Sequence, residues 1–239
     1  MQQLLGLIRR ADKDFQMIKP GDRVAVGVSG GKDSLALLCA LAQYRTISPA
    51  PFELCAMTLH LGLEPFDLSR ISALCQSLEV PYIVHPTLIG RIVFEERKEE
   101  NPCALCAKMR RGALNNLCVE MGFNKLALGH HRDDALETFM MSMLYEGRLR
   151  TFQPVTHLSR TGITVLRPMI YASEKQILHV VKTLDLPVVP SPCPANGKTA
   201  RADMKTLMDQ LCKKVPNARA QMLTALKNTG QYALWDKLD

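Results

Sequence analysis

The apolar positions of this chain change period again and again, from continuous runs to helical stripes and back. Residues Gln2 to Met17 set Leu4, Leu5, Leu7, Ile8, Ala11 and Phe15 on one side, which predicts an amphipathic helix. Arg23 to Val28 is a short apolar run between Pro20-Gly21 and Ser29-Gly30-Gly31, the pattern of a buried strand. From Asp33 the period turns helical through Leu35, Leu37, Leu38, Leu41 and Ala42. Ala50–His60 and Pro81–Pro86 read as second and third strands. Between them Phe66–Leu78 is helical, with a stripe of Leu68, Ile71, Leu74, Cys75 and Leu78. Arg91 to Lys98 mixes charges, as a solvated helix or mobile connection does. A helix then runs to about Met121, and Phe123–Gly129 reads as a fourth strand opening directly into another helix. Arg148–Arg167 reads as loop and short strand. Ser173 opens a helix with Glu174 in its first turn, Pro187–Pro194 is a proline-rich turn, and helices follow at about Arg201–Lys213 and Ala218–Asn228.

Strands separated by helices of this length predict an α/β fold, a parallel five-stranded sheet with helices on both faces. The expected organisation is one domain over residues 1–239, with an N-terminal helix at about 2–17 and a C-terminal helical extension at about 195–239. Ligands of such sheets gather beyond the carboxyl ends of the strands.

Composition adds three bounds. No apolar run reaches the ~18 residues of a membrane span, and Arg9 and Arg10 interrupt the place where a secretion signal needs an apolar core, so a cytoplasmic protein is expected. The net charge of +7 suits a polyanionic partner such as RNA, and equally an ordinary basic enzyme. Eight cysteines in a reducing compartment are not a disulfide framework. Cys39, Cys55, Cys75 and Cys118 lie within apolar periodic segments and read as buried small hydrophobes, whereas Cys103, Cys106 and Cys193 fall at loops or element edges.

Chemistry concentrates first at Ser29-Gly30-Gly31-Lys32-Asp33-Ser34, where strand, glycine turn and helix start meet. The N–H groups of such a junction point outward and the helix dipole adds positive charge, so it can cradle a phosphate. It fits neither the Walker pattern, since Asp33 follows Lys32, nor the dinucleotide fingerprint. The six residues resemble the PP-loop of the ATP pyrophosphatase superfamily, whose members split ATP between its α- and β-phosphates and adenylate a carbonyl or amide oxygen. A second junction, Gly129-His130-His131-Arg132-Asp133-Asp134, precedes Glu137-Thr138 and resembles the GHH-x-DD segment of the superfamily's tRNA thiolases. Read from residue type alone, its carboxylates either complement a helix dipole or help hold Mg²⁺. Cys103-Ala-Leu-Cys106 alone fits half a zinc site, a redox pair or chance, and with Cys193 it makes three thiolates able to hold a four-iron cluster with one iron open. Cys212 could add a fourth thiol, although its helical setting favours burial.

CxxC followed by Lys-x-Arg-Arg-Gly, then ALGHHRDD, Leu-Arg-Pro and Pro-x-Pro-Cys, is similar to the tRNA 2-thiocytidine synthetase family over about Asp12 to Asn228. The resemblance implies an adenine nucleotide α-hydrolase-like fold and an ATP-dependent tRNA sulfurtransferase thiolating cytidine at anticodon-loop position 32. It implies ATP and Mg²⁺ at Ser29, Gly30, Gly31, Lys32, Asp33 and Ser34, with Asp33, Asp133 and Asp134 near the metal. Gly129, His130 and Asp134 would line the nucleotide, and adenine would lie around Met57, Thr58 and Leu59. A [4Fe-4S] cluster would bind Cys103, Cys106 and Cys193, and with Lys32 and Asp33 these carry the catalysis. Lys108, Arg110, Arg111, Arg148, Arg150, Arg201 and Lys205 are candidate RNA contacts, each with an ordinary solvated charge as the alternative. The expected sulfur donor is a cysteine desulfurase or free sulfide, and a homodimer is compatible with the pattern. Competing readings keep the fold with another RNA base or a small metabolite as acceptor, or make the chain a nucleotide sensor or RNA-binding module without catalysis.

Overall fold

In the computed structural model the described residues are 1–64, 66–97, 102–190, 192–193, 200–228 and 230. Pro65, the end of the charged connection at 98–101, the turn residues 191 and 194–199, and the far end of the C-terminal extension lie outside them. The chain divides into two compact units.

The first unit comprises Met1–His131 and Gln153–Lys198. It holds α1 (Gln2–Phe15), β1 (Asp22–Gly27), α2 (Lys32–Ile47), β2 (Phe52–His60), α3 (Ser69–Ser77), β3 (Tyr82–Pro86), a short turn α4 (Ile89–Arg91) continuing as a π-helix (Ile92–Arg97), α5 (Pro102–Glu120), β4 (Lys125–Ala127), β5 (Val155–His157), β6 (Thr164–Leu166) and α7 (Glu174–Thr183). The sheet order is β3-β2-β1-β4-β6-β5. Six strands form where five were expected. β5 is the addition, and it is antiparallel to β6. Only a hairpin separates them, closed by Leu158 N–H to Ile163 O at 2.9 Å with Gly162 at φ +72°, and so short a link can only reverse the chain.

The other strands run parallel and end at one edge, at Gly27, His60, Pro86, Ala127 and Leu166. Helix α2 is buried almost all round, from Ser34 to Ala42 and again at Tyr44, so it is a core element rather than an amphipathic cover. Across the sheet, α5 lays Leu117 and Cys118 on Ala25, Cys55, Met57, Phe123, Leu126, Ile163 and Val165, with Leu114 packed beside them. α7 starts with a full capping box: Ser173 and Gln176 each satisfy the other's backbone N–H. That fixes the position of Glu174, its first residue.

The second unit comprises Arg132–Phe152 and Thr199–Asp239. Its helices α6 (Arg132–Glu146), α8 (Ala200–Lys214) and α9 (Ala218–Lys227) pack together, α6 meeting both of the others. Among the described residues no helix is long and apolar enough to cross a membrane.

Candidate active site

The nucleotide turn sits where β1 leaves the sheet and α2 begins. Gly30 adopts φ +82°, a conformation costly to any residue with a Cβ. Ser29 N–H donates to Ser34 Oγ at 3.1 Å, and the Ser34 hydroxyl donates to Gly31 O at 2.9 Å. The two hydroxyls thus brace the turn from within. Gly31 caps α2 without any side-chain hydrogen bond, so the first-turn N–H groups are not spent on a cap. Gly129, at the end of β4, explains how close the second junction lies: a Cβ there would stand 3.0 Å from both Asp33 C and Ser34 N. A glycine there lets the end of β4 approach the first turn of α2 this closely.

Charge is arranged tightly around this turn. Lys32 Nζ lies 2.8 Å from both Asp33 carboxylate oxygens and 3.2 Å from Glu174 Oε1. Burial lowers the affinity of this ammonium for its proton, but the Asp33 and Glu174 carboxylates outweigh it and raise the pKa above the ordinary lysine value. His131, only 4% exposed, points Nε2 at Asp33 Oδ1 across 3.6 Å. Of the two adjacent histidines, His130 was the expected nucleotide contact, and it is His131 that faces Asp33. Glu174 was missed altogether. Its only signal in the sequence was a place in the first turn of a helix, which dipole complementation explains as well.

The thiols separate into two populations. Cys39, Cys55, Cys75 and Cys118 are buried, their pKa values pushed up by burial to about 11, 11, 11 and 12. Cys103 is exposed, and Cys106 and Cys193 are half-buried. Burial raises the Cys106 pKa, the Arg110 guanidinium pulls it back, and the Cys193 and Cys103 sulfurs raise it again. That mutual influence brings Cys193 within electrostatic reach of the CxxC pair from far along the chain. Among the described residues no three Cys, His, Asp or Glu side chains converge tightly enough for one metal ion. A cubane cluster gives each thiolate its own iron, so its ligands stand farther apart, and three neighbouring thiols in one unit fit that donor set. The segment before Cys193 is stitched to the nucleotide turn: Val189 N–H donates to Gly30 O at 3.0 Å, and the Val189 side chain would be 3.3 Å from a Cβ on Gly30.

Met57 and Thr58 are fully buried, and the Thr58 hydroxyl is spent on Val28 O at 2.7 Å while it accepts from Tyr82 OH at 2.8 Å. Leu59 packs on the α5 side of the sheet. Only the backbone of this strand end remains for a nucleotide. In the second unit Asp133 takes Arg132 Nη2 at 2.8 Å and lies 3.6 Å from Arg219 Nε, and Asp134 takes Arg201 Nη1 at 3.2 Å. Arg201, expected as an RNA contact, is thus also engaged with Thr138 Oγ1 at 3.0 Å. Lys205 and Arg148 are exposed, as is Arg150, which pairs with Glu146 at 3.1 Å. Lys108, Arg110 and Arg111 line exposed positions of α5 in the first unit. Cys212 is half-buried on α8 and accepts from Arg219 Nη1 at 3.1 Å, so it is not the buried apolar position its helix suggested. An open groove of about 560 Å³, lined by Arg23, Phe52, Glu79, Pro81 and Phe123 among others, lies at the opposite, amino-terminal edge of the strands and holds none of these residues.

Against known proteins, residues 5–211 match the PP-loop domain family. A tRNA-cytidine(32) 2-sulfurtransferase of Pelobacter propionicus is 37% identical, over 99% of this chain and 89% of its own. A protein of the same name from Geobacter metallireducens is 36% identical over 96% of this chain and 91% of its own. In fold, the chain is similar to the U34-tRNA thiolase NcsA of Methanococcus maripaludis, solved with its [4Fe-4S] cluster. The TM-score is 0.76 at 24% identity, covering 96% of this chain and 79% of that one.

Proposed function

The chain belongs to the PP-loop family and, within it, to the tRNA-cytidine(32) 2-sulfurtransferases, and from that membership we propose how its residues share the work of ATP-dependent tRNA thiolation. One hydrogen bond supports the division most: Val189 N–H to Gly30 O at 3.0 Å, which ties the Cys193 segment to the nucleotide turn. Activation of the base and delivery of sulfur therefore share one edge of the sheet.

In the first half-reaction O2 of cytidine 32 attacks the α-phosphorus of ATP and pyrophosphate departs. Gly30, Gly31 and Ser34 cradle the phosphates with backbone N–H groups and the α2 dipole, and Ser29 braces the turn that presents them. Lys32 exchanges Asp33 and Glu174 for phosphate oxygens as a point cation. Asp33 would hold Mg²⁺ beside the phosphates. When bound, the ion offsets the charge that develops on the phosphates. His131 steadies Asp33, Gly129 and His130 border the nucleotide, and adenine lies against the backbone around Met57, Thr58 and Leu59. In the second half-reaction sulfur replaces the activated oxygen and AMP leaves. Cys103, Cys106 and Cys193 would hold the [4Fe-4S] cluster, which supplies an iron open to sulfide when bound. Arg110 eases ionisation of Cys106, a requirement for ligation. Lys108, Arg110, Arg111, Arg148, Arg150, Arg201 and Lys205 face the tRNA backbone. In this reading the protein works in the cytoplasm and draws its sulfur from a cysteine desulfurase or free sulfide.

Nucleoside mass spectrometry of tRNA from a deletion strain tests the reading. 2-Thiocytidine should vanish there, return with the wild-type gene and stay absent with Cys103→Ser or Cys193→Ser. Cys39→Ala should restore it. Persistence of 2-thiocytidine in the deletion strain would refute the assignment, and full rescue by Cys193→Ser would remove that thiol from the site.

A further inference from the structure

The carboxyl edge of the sheet carries two further cations, Arg111 and Arg167. Strand register fixes the position of one. Val26 pairs with Ala127 and Ala127 with Leu166, and Leu128 N–H donates to Leu166 O at 2.9 Å. Arg167 therefore leaves β6 beside Leu128, the residue before the glycine that abuts Asp33. Its guanidinium is held in place, Nη1 donating to Gln153 O at 2.6 Å and to Thr156 Oγ1 at 3.1 Å.

The other cation comes from α5. Arg111, Leu114, Asn115 and Cys118 share one stripe of that helix. Cys118 lies in the core beneath it, and Leu114 reaches the carboxyl end of β1, where its Cδ2 would be 3.0 Å from a Cβ on Gly27. Arg111, one turn earlier, extends the stripe beyond the strand ends. Burial and the Arg111 charge together push the Arg167 pKa down to about 10, so the two guanidinium groups lie within electrostatic reach of each other. One turn after Arg111, the buried Asn115 Oδ1 has no hydrogen-bond partner among the described residues.

Two guanidinium groups within electrostatic reach of each other suit a phosphate, whose oxygens accept from both. Building on the tRNA thiolase reading, we propose that Arg111 and Arg167 clamp one backbone phosphate of the RNA at the carboxyl edge of the sheet, fixing the strand whose base enters the nucleotide turn. The same chemistry would grip the phosphates of ATP, so the test separates the two sources.

Arg111→Gln and Arg167→Lys, singly and together, are assayed for binding of an unmodified tRNA transcript between about 50 and 200 mM salt, and separately for ATP binding. Arg111 is exposed, and Arg167→Lys keeps the charge while losing the fork, so both variants should fold. Each should weaken transcript binding about three- to tenfold, and the double variant should lose less than the product of the two. Arg111→Gln should also flatten the slope of log K against log salt by about 0.7–0.9, a change that a merely structural role would not produce. Arg167→Lys should leave that slope alone, ATP affinity should stay within about twofold, and the melting temperature of Arg111→Gln should not fall. Wild-type transcript affinity and slope in both variants would overturn the clamp. Lost ATP affinity with intact transcript binding would overturn it too, by assigning the pair to ATP. A wild-type protein that fails to bind the transcript would instead count against the thiolase reading on which the clamp rests.

Discussion

At Gly129 a side chain would crowd the backbone of α2. A Cβ would lie 3.0 Å from the Asp33 carbonyl carbon and the Ser34 nitrogen, and both are backbone atoms that cannot swing aside. Gly129→Ala must push the β4 end away from the first turn of α2, an overpacking that costs about 1–3 kcal/mol. The displaced atoms are those proposed to hold phosphate, so ATP affinity should fall by roughly tenfold or more, about 1.4 kcal/mol per decade. Calorimetric titration with ATP, beside a thermal melt, checks both halves. Unchanged ATP binding would mean that the second junction does not shape the first. At this scale legibility followed contiguity. Ser29 to Ser34 could be read because six functional residues stand in a row, and Gly129 because it heads a similar run. Glu174 and Val189 reach the same turn from remote parts of the sequence, carried there by α7 and the loop after it, and nothing local marked them. Of the histidine pair, burial chose His131 for Asp33, and a sequence cannot say which of two neighbours turns inward.

Among the elements, α1 was legible as a stripe, and Leu4, Leu5, Ile8 and Ala11 are indeed buried. What the stripe did not show is how its polar end is latched. Asp12 Oδ2 accepts from Tyr44 OH at 2.7 Å and Asp14 Oδ2 from Tyr171 OH at 2.9 Å, while Arg10 lies over the Tyr171 ring at 4.9 Å. Burial first, and then the facing carboxylates, push both phenols up to about 12. Their folded pKa values exceed the unfolded value near 10, so the stabilisation is complete below pH 10 and is lost as pH rises towards 12. Tyr44→Phe with Tyr171→Phe should flatten the fall in melting temperature over that interval while lowering stability at pH 8. An unaltered alkaline profile would show that the two latches do not hold α1. Short elements were the least legible. β5 and β6 have three residues each, too few to show a period, and the sixth strand was hidden inside what read as loop and short strand. The charged connection gave no sign that Ile92–Arg97 would wind as a π-helix just ahead of the CxxC residues.

For the molecule as a whole, the question is how a nucleotide on one loop can be felt at thiols on another. α5 delivers Cys103 and Cys106, while Cys193 arrives on a separate segment whose other neighbour is the nucleotide turn. A hydrogen bond links the turn to that segment: Gly30 O accepts from Val189 N–H, four residues before Cys193 in the sequence. If phosphate in the turn draws on the hydrogen bonds around Gly30, it should also shift the Val189 backbone and the exposure of Cys193. In protein free of iron, ATP should therefore change the alkylation rate of Cys193 severalfold while leaving buried Cys118 unreactive. Val189→Pro removes the donor N–H. It should leave ATP bound with near wild-type affinity but make Cys193 alkylation indifferent to ATP. Mass mapping of the labelled thiols reads this directly. If ATP still altered Cys193 labelling in Val189→Pro, the coupling would have to pass through Ile71 and Phe66, the other side chains packed beneath Gly30, and the single hydrogen bond would be only a tether.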